Sequence, residues 1–187
     1  MVLPAAAPGP SVPWVPYVAG RPRTGIGRTR AGLVAGAARA FAEHGVRGCT
    51  MQAVAAASGV AKATLYNHFR TKDEIARALL AAELDRLTVL VGDRPPAAAL
   101  AALADALGEH PVLRRLASDE PDVLAGLLDV PAELWAVLTG RLAAALGTDD
   151  DGAELVARWL VGVVVRPGRS SSRHRAAARL VAATSTT

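Results

Sequence analysis

Between residues 62 and 72 the chain carries Lys62, Ala63, Thr64, Tyr66, Asn67, His68 and Lys72. A carboxamide can pair with a base edge, a methyl group suits thymine, and hydroxyl and ammonium groups suit phosphate oxygens. Lys62 and Lys72 are the only lysines of the chain; the other nineteen basic residues are arginines. A lysine opening a helix faces the positive end of its dipole, a cost that a nearby phosphate offsets. The two lysines are therefore expected to act as long, flexible point charges for a nucleic-acid backbone.

The neighbouring residues supply elements that could present these groups. Thr50 precedes "MQAVAAAS" and can cap a short helix by accepting a backbone N–H. Gly59 breaks that helix, and a third short helix is expected over 61–68. Val54, Ala55, Val60, Leu65 and Phe69 are apolar or small, and Ala55 lets the two helices cross closely. That is the packing of a helix-turn-helix, whose second helix enters the major groove. With Leu65 pointing inward and 100° advanced per residue, Phe69 also points inward and His68 lies at the edge. Ala63, Tyr66 and Asn67 then point outward, flanked by Lys62 and Thr64. Upstream, Leu33, Ala37 and Phe41 form an apolar stripe with Val34 and Ala38 on a helix over 29–44. Gly45 can end it in the left-handed conformation. Downstream, Thr71 and Glu74 form a capping box that opens a helix over 72–91.

Residues 37–75, "AARAFAEHGVRGCTMQAVAAASGVAKATLYNHFRTKDEI", resemble the DNA-binding domain of the TetR family of transcriptional repressors. The most specific part is "GV-x-K-x-TLYNHF-x-x-K-x-E". The resemblance implies an all-α homodimer: a three-helix helix-turn-helix domain followed by a helical bundle that binds a small-molecule effector and dimerises. It implies that Lys62, Thr64 and Asn67 approach bases, while Thr50, Tyr66, His68 and Lys72 hold phosphates. Position 61, often serine in the family, is Ala61 here, so a cap on the third helix is missing and weaker DNA affinity is expected.

Charge is divided in a way that suits two jobs. Residues 21–77 hold ten Lys/Arg against three Asp/Glu, whereas residues 78–165 hold six against fourteen. The basic part is expected to meet a polyanion and the acidic part to do other work. Arg21, Arg23, Arg28 and Arg30 form a basic arm, either a solvated tail or a minor-groove or phosphate contact. Residues 1–22 hold six of the twelve prolines and are expected to be a disordered extension. The helix-turn-helix domain is placed at 23–72, with its motif at 50–69, and the effector and dimerisation domain at 73–187.

Further helical runs are expected near 97–107, 111–117, 120–129, 131–146, 151–165 and 173–183, with "RPGRSSSRHR" a solvated loop. His110, Leu113, Leu116 and Trp135 are candidate cavity-lining residues. Trp159, Leu160, Val163 and Val164, on an all-round apolar helix, are candidate dimer contacts, with 131–146 or 173–183 beside them. The longest apolar helical stretch, "LVARWLVGVVV", is shorter than the roughly 20 residues that a bilayer needs. No secretory signal pattern is apparent, so a cytoplasmic protein without a membrane partner is expected. Cys49 is the only cysteine, no Cys/His cluster has zinc spacing, and no Gly-x-Ser-x-Gly elbow occurs. No metal, cofactor or catalytic residue is expected. The reading favoured is a ligand-responsive repressor on a palindromic operator. A non-specific architectural DNA binder and a small helical enzyme are the alternatives.

Overall fold

The computed structural model describes residues 25–184, and among them every regular element is a helix. The first, α1 (Gly25–Gly48), is broken at Gly45, whose φ of 71° lies in the left-handed region. A Cβ there would fall 2.1 Å from Glu120 Oε1, so the break requires glycine. Next come α2 (Met51–Ser58) and α3 (Lys62–Tyr66), separated by Gly59 at φ 68°. Then α4 (Lys72–Val91) opens on Thr71, whose hydroxyl accepts from the Glu74 N–H at 3.1 Å. The Glu74 carboxylate in turn accepts from the Arg70 N–H at 2.7 Å, which fixes how the chain leaves the helix-turn-helix. Leu33, Phe41, Val54, Leu65, Phe69 and Ile75 fill the space between these helices, all buried.

Prolines open three of the following helices, where a missing N–H costs nothing: α5 (Pro96–Gly108), α6 (Pro111–Asp119) and α7 (Pro121–Leu128). They are followed by α8 (Ala132–Leu146), α9 (Asp150–Val165) and α10 (Ser170–Thr184). A second core joins α4, α5, α9 and α10 through Leu87, Leu100, Leu103, Val156, Leu160, Val163 and Ala177. The first core does not stop at residue 72. It continues into Val112 and Leu116 of α6, Leu124 of α7 and Val164 of α9. No single helix among the described residues is long and apolar enough to cross a membrane, and the apolar pair α7–α8 is bent by 79°.

Burial corrects the expected dimer contacts. Leu160, Val163 and Val164 are 8%, 5% and 6% exposed, because they already pack inside their own protomer. The apolar residues that α9 leaves outside are Leu155, half exposed, Val165, and part of Trp159 and of Val161. The expected solvated loop is also corrected, since α10 starts at Ser170 and takes in Arg173. That buried guanidinium bonds Asp105, Glu109 and the Pro167 and Gly168 carbonyls, which satisfies its planar fork and ties α10 to α5. The segment 1–22, Arg21, Arg23 and the Arg28 side chain lie outside the described residues.

His110 is buried and caps α6, Nδ1 accepting from the Leu113 N–H at 3.4 Å. Glu83 Oε2 lies 3.9 Å from its Nε2, and Arg86 is bonded to Glu83. Burial pushes the imidazole below its ordinary 6.5; Glu83 opposes this and Arg86 reinforces it. With the folded value below the unfolded one, the unfolded chain binds the proton first as pH falls. Stability should therefore drop as pH goes below about 6.5, by at most about 1.4 kcal/mol per pH unit for one proton. His110→Asn keeps a good cap and cannot titrate. Its melting temperature should vary less between pH 7.5 and 5.5 than that of the wild type; parallel curves would remove His110 from the cause.

Candidate nucleic-acid interface

The roll of α3 is set by its two buried anchors. Leu65 is fully buried and Phe69 is 2% exposed, which turns Lys62, Ala63, Tyr66 and Asn67 to the outside. Thr64 and His68 are half-buried at the edges of that face. The expected arrangement of side chains is therefore present, although α3 ends at Tyr66 and Asn67 is its C-cap. Ala61 supplies no side-chain cap to α3. No Asp or Glu occurs from residue 44 to residue 72, so the face offers cations, hydroxyls and an amide with no acid in that stretch. Lys62 Nζ lies 5.8 Å from the Tyr66 ring centre, near enough for a cation–π contact that holds both side chains on one ridge. Arg30 lies over Phe69 at 4.3 Å, which pins its turn of α1 beside the end of the helix-turn-helix.

Two of the expected phosphate groups have work inside the chain. The Thr50 hydroxyl caps α2 by accepting from the Ala53 N–H at 3.0 Å, leaving its own proton to donate. Lys72 is not the free cation that the sequence implies. Its Nζ donates to the Val46 and Arg47 carbonyls, both at 2.8 Å, so one of its three protons remains for another acceptor. Beside it, burial pushes the Cys49 thiol up, with Lys72 opposing, so the sulfur is not an activated thiolate.

Three residues that position this face were missed from the sequence. Gly36 lets α1 cross α2, since a Cβ there would lie 2.6 Å from Ser58 Cα. Arg39 donates to the Ala57 carbonyl at 2.5 Å and ties the end of α2 to α1. Glu120, far along the chain, accepts from the Val46 and Arg47 N–H groups. A glycine inside a helical pattern is a readable signal for close packing; a carboxylate 74 residues away from its partner has none.

The four candidate cavity residues have other places. Leu116 is fully buried in the first core, His110 caps α6, and Leu113 packs half-buried beside them. Trp135 Nε1 donates to Glu154 Oε2 at 2.5 Å, binding α8 to α9. That bond, with Arg158, holds the Glu154 carboxyl below its usual range. A groove of about 480 Å³ lies instead between α9 and α10, lined by Trp159, Arg175, Ala176, Arg179, Leu180 and Ala183 among others. One set of residues has the composition of a nucleophile triad: Ser170, His174 and Asp105. Its geometry is that of a clamp. Ser170 Oγ donates to Asp105 at 3.1 Å, and the same His174 Nε2 meets both Asp105 at 2.5 Å and Ser170 at 3.4 Å. A base must take the serine proton on one nitrogen while the other is held.

Residues 33–79 match the model of the family "bacterial regulatory proteins, tetR family". The chain is 29% identical over 116 residues to the HTH-type transcriptional repressor Rv1474c of Mycobacterium tuberculosis, a stretch covering 59% of this chain and 62% of that protein. Among solved structures it resembles a transcriptional regulator from Rhodococcus sp. Rha1, with a TM-score of 0.57 at 21% identity, covering 83% of this chain and 95% of that one. It also resembles the fatty acid degradation regulator FadR from Bacillus halodurans, with a TM-score of 0.57 at 14% identity, covering 82% and 93%. At those identities the likeness to both structures concerns the fold.

Proposed function

We propose that this chain, which carries a DNA-binding domain of the tetR family of bacterial regulatory proteins, is a ligand-responsive transcriptional repressor. The observation that carries the reading is the exposed, acid-free ridge of α3, fixed in roll by Leu65 and Phe69. In this reading Lys62, Thr64 and Asn67 meet base edges, with Ala63 beside a thymine methyl. Thr50, Tyr66, His68 and the remaining proton of Lys72 meet phosphates, as do Arg28 and Arg30. The DNA-binding domain spans 23–72, with its helix-turn-helix motif at 50–69, and residues 73–187 hold the effector and pair two subunits. A single α3 reads too few base pairs for a specific site, so two copies bind a palindrome with their reading helices about 34–36 Å apart. The pairing face is α9 with α10, where Leu155 and Val165 are exposed on α9 and Trp159 lines the open groove. A small molecule within the helices of 73–187 shifts the population toward a dimer with the wrong spacing.

Selection of bound sequences from a random duplex pool is expected to enrich a palindrome. Asn67→Ala should then cost about 1–3 kcal/mol per half-site, confined to one base-pair position. Equal weakening across a panel of altered operators would make Asn67 a backbone contact. A pool that shows no sequence enrichment would favour the non-specific architectural binder over a repressor.

A further inference from the structure

The unit that carries the α3 ridge is closed at both ends on one peptide, and a carboxylate holds that peptide. It is entered through Val46 and Arg47, three residues before the Thr50 cap of α2, and left at Lys72, the first residue of α4. Glu120 Oε2 accepts from the Val46 N–H at 3.0 Å, and both its oxygens accept from the Arg47 N–H at 3.1 Å. Lys72 Nζ donates to the carbonyls of the same two residues. The peptide joining Val46 to Arg47 therefore has its N–H on a carboxylate and its oxygen on an ammonium. Charge-assisted bonds of this kind are the strong ones.

Glu120 belongs to the other domain. It is the single residue between α6 and α7, its N–H donating to the Leu116 carbonyl at 2.9 Å and its own carbonyl accepting from the Leu124 N–H at 3.1 Å. Only 8% of it is exposed. The partner segment has no slack, because Gly45 at φ 71° leaves no room for even a Cβ against Glu120 Oε1. An ion pair between Arg47 and Asp122 repeats the link at the surface. A shift of the α6–α7 junction must therefore either carry residues 45–47 with it or break these bonds.

We propose that Glu120 is the positioning residue through which the C-terminal helices set the orientation of the DNA-reading unit, by holding the Val46–Arg47 peptide against Lys72. The proposal rests on the function given above for what is read, and on the geometry of 45–47, Lys72 and Glu120 for how it is held. Glu120 touches no nucleic acid; it acts through the entry and exit of the unit.

The test uses the full chain and Glu120→Gln and Glu120→Ala. Gln keeps the volume and one acceptor oxygen; Ala keeps neither. Amide hydrogen exchange needs no DNA. At Val46 and Arg47 it should speed up about tenfold or more in the alanine variant and less in the glutamine variant, since two charged bonds are lost. The faster exchange should spread through residues 50–67 while the α5–α9 core stays protected. On the selected palindrome, affinity should fall about tenfold with an unchanged salt slope, because no phosphate contact is removed. Exchange confined to 46–47, uniform loss of protection across the whole chain in both variants, or unchanged palindrome affinity alongside faster exchange would each overturn the proposal. A wild-type chain that selects no palindrome would count against the repressor reading alone, because the exchange result judges the joint independently.

Discussion

Gly36→Ala should destabilise the protein by about 1–3 kcal/mol, although alanine is the better helix former by roughly 1 kcal/mol. The sign is decided by what the added Cβ meets. Ser58 Oγ, Cα and Cβ would lie at 2.1, 2.6 and 2.8 Å, and the Cα belongs to the backbone of α2. A flexible side chain could swing away from such a contact, whereas a helix backbone must retreat as a body. Retreat would strip Val54 and Ala55 from Leu33 and Ala37, all buried in the same core. It would also part the Ser58 hydroxyl, whose proton goes to the Val54 carbonyl at 2.7 Å, from the Leu33 carbonyl 3.4 Å away. Ser58→Gly in the same chain should restore little, since it removes the Oγ and Cβ but leaves the Cα. A thermal melt of the three variants checks this. A stabilised Gly36→Ala variant would show that α1 and α2 are not held at this separation.

The helix-turn-helix was readable because its signals are local. Gly59, the Thr50 cap, the Thr71 cap and the spacing from Leu65 to Phe69 each act within four residues and are realised. The reciprocal half of the Thr71–Glu74 box moves one residue, Glu74 accepting from the Arg70 N–H. The residues that read wrongly are those whose partners lie far along the chain. Lys72 looked like a free cation because the carbonyls it caps are 25 and 26 residues away. Arg173 looked solvated because its partners, Asp105 on α5 and Glu109 just after it, lie more than sixty residues away. Glu120 carried no signal at all, being one acid among fourteen in the acidic stretch 78–165. Composition misled on α9 for a related reason. A helix apolar nearly all round can be covered by its own protomer or by a partner, and only the positions of α5, α6 and α10 decide which.

That distinction gives the second large effect. Leu160 and Leu155 lie on one helix, five residues apart, and aspartate at each should fail in opposite ways. Leu160 is 8% exposed and packs with Leu100, Leu103 and Val156. Aspartate there removes a buried side chain worth about 2–5 kcal/mol by truncation and leaves an unpaired carboxylate, or forces it to stay protonated. Such a loss is a large share of the roughly 5–15 kcal/mol that holds a domain together. The helical circular-dichroism signal should collapse or melt far earlier, at any protein concentration. Leu155 is half exposed and borders the outer face beside Trp159. In an isolated subunit its change to aspartate should cost no more than about 0.5 kcal/mol, as at other surface sites. In a dimer paired through α9 and α10, the same carboxylate enters a dry contact on both subunits at once. The Leu155→Asp chain should therefore keep its helical signal, sediment as a monomer at micromolar concentration, and lose palindrome binding while still holding DNA weakly through single heads. A Leu155→Asp chain that stays dimeric would move the two-fold axis off this face of α9. A Leu160→Asp chain that stays helical and becomes monomeric would return Leu160 to the subunit contact and contradict its place in the protomer's own core.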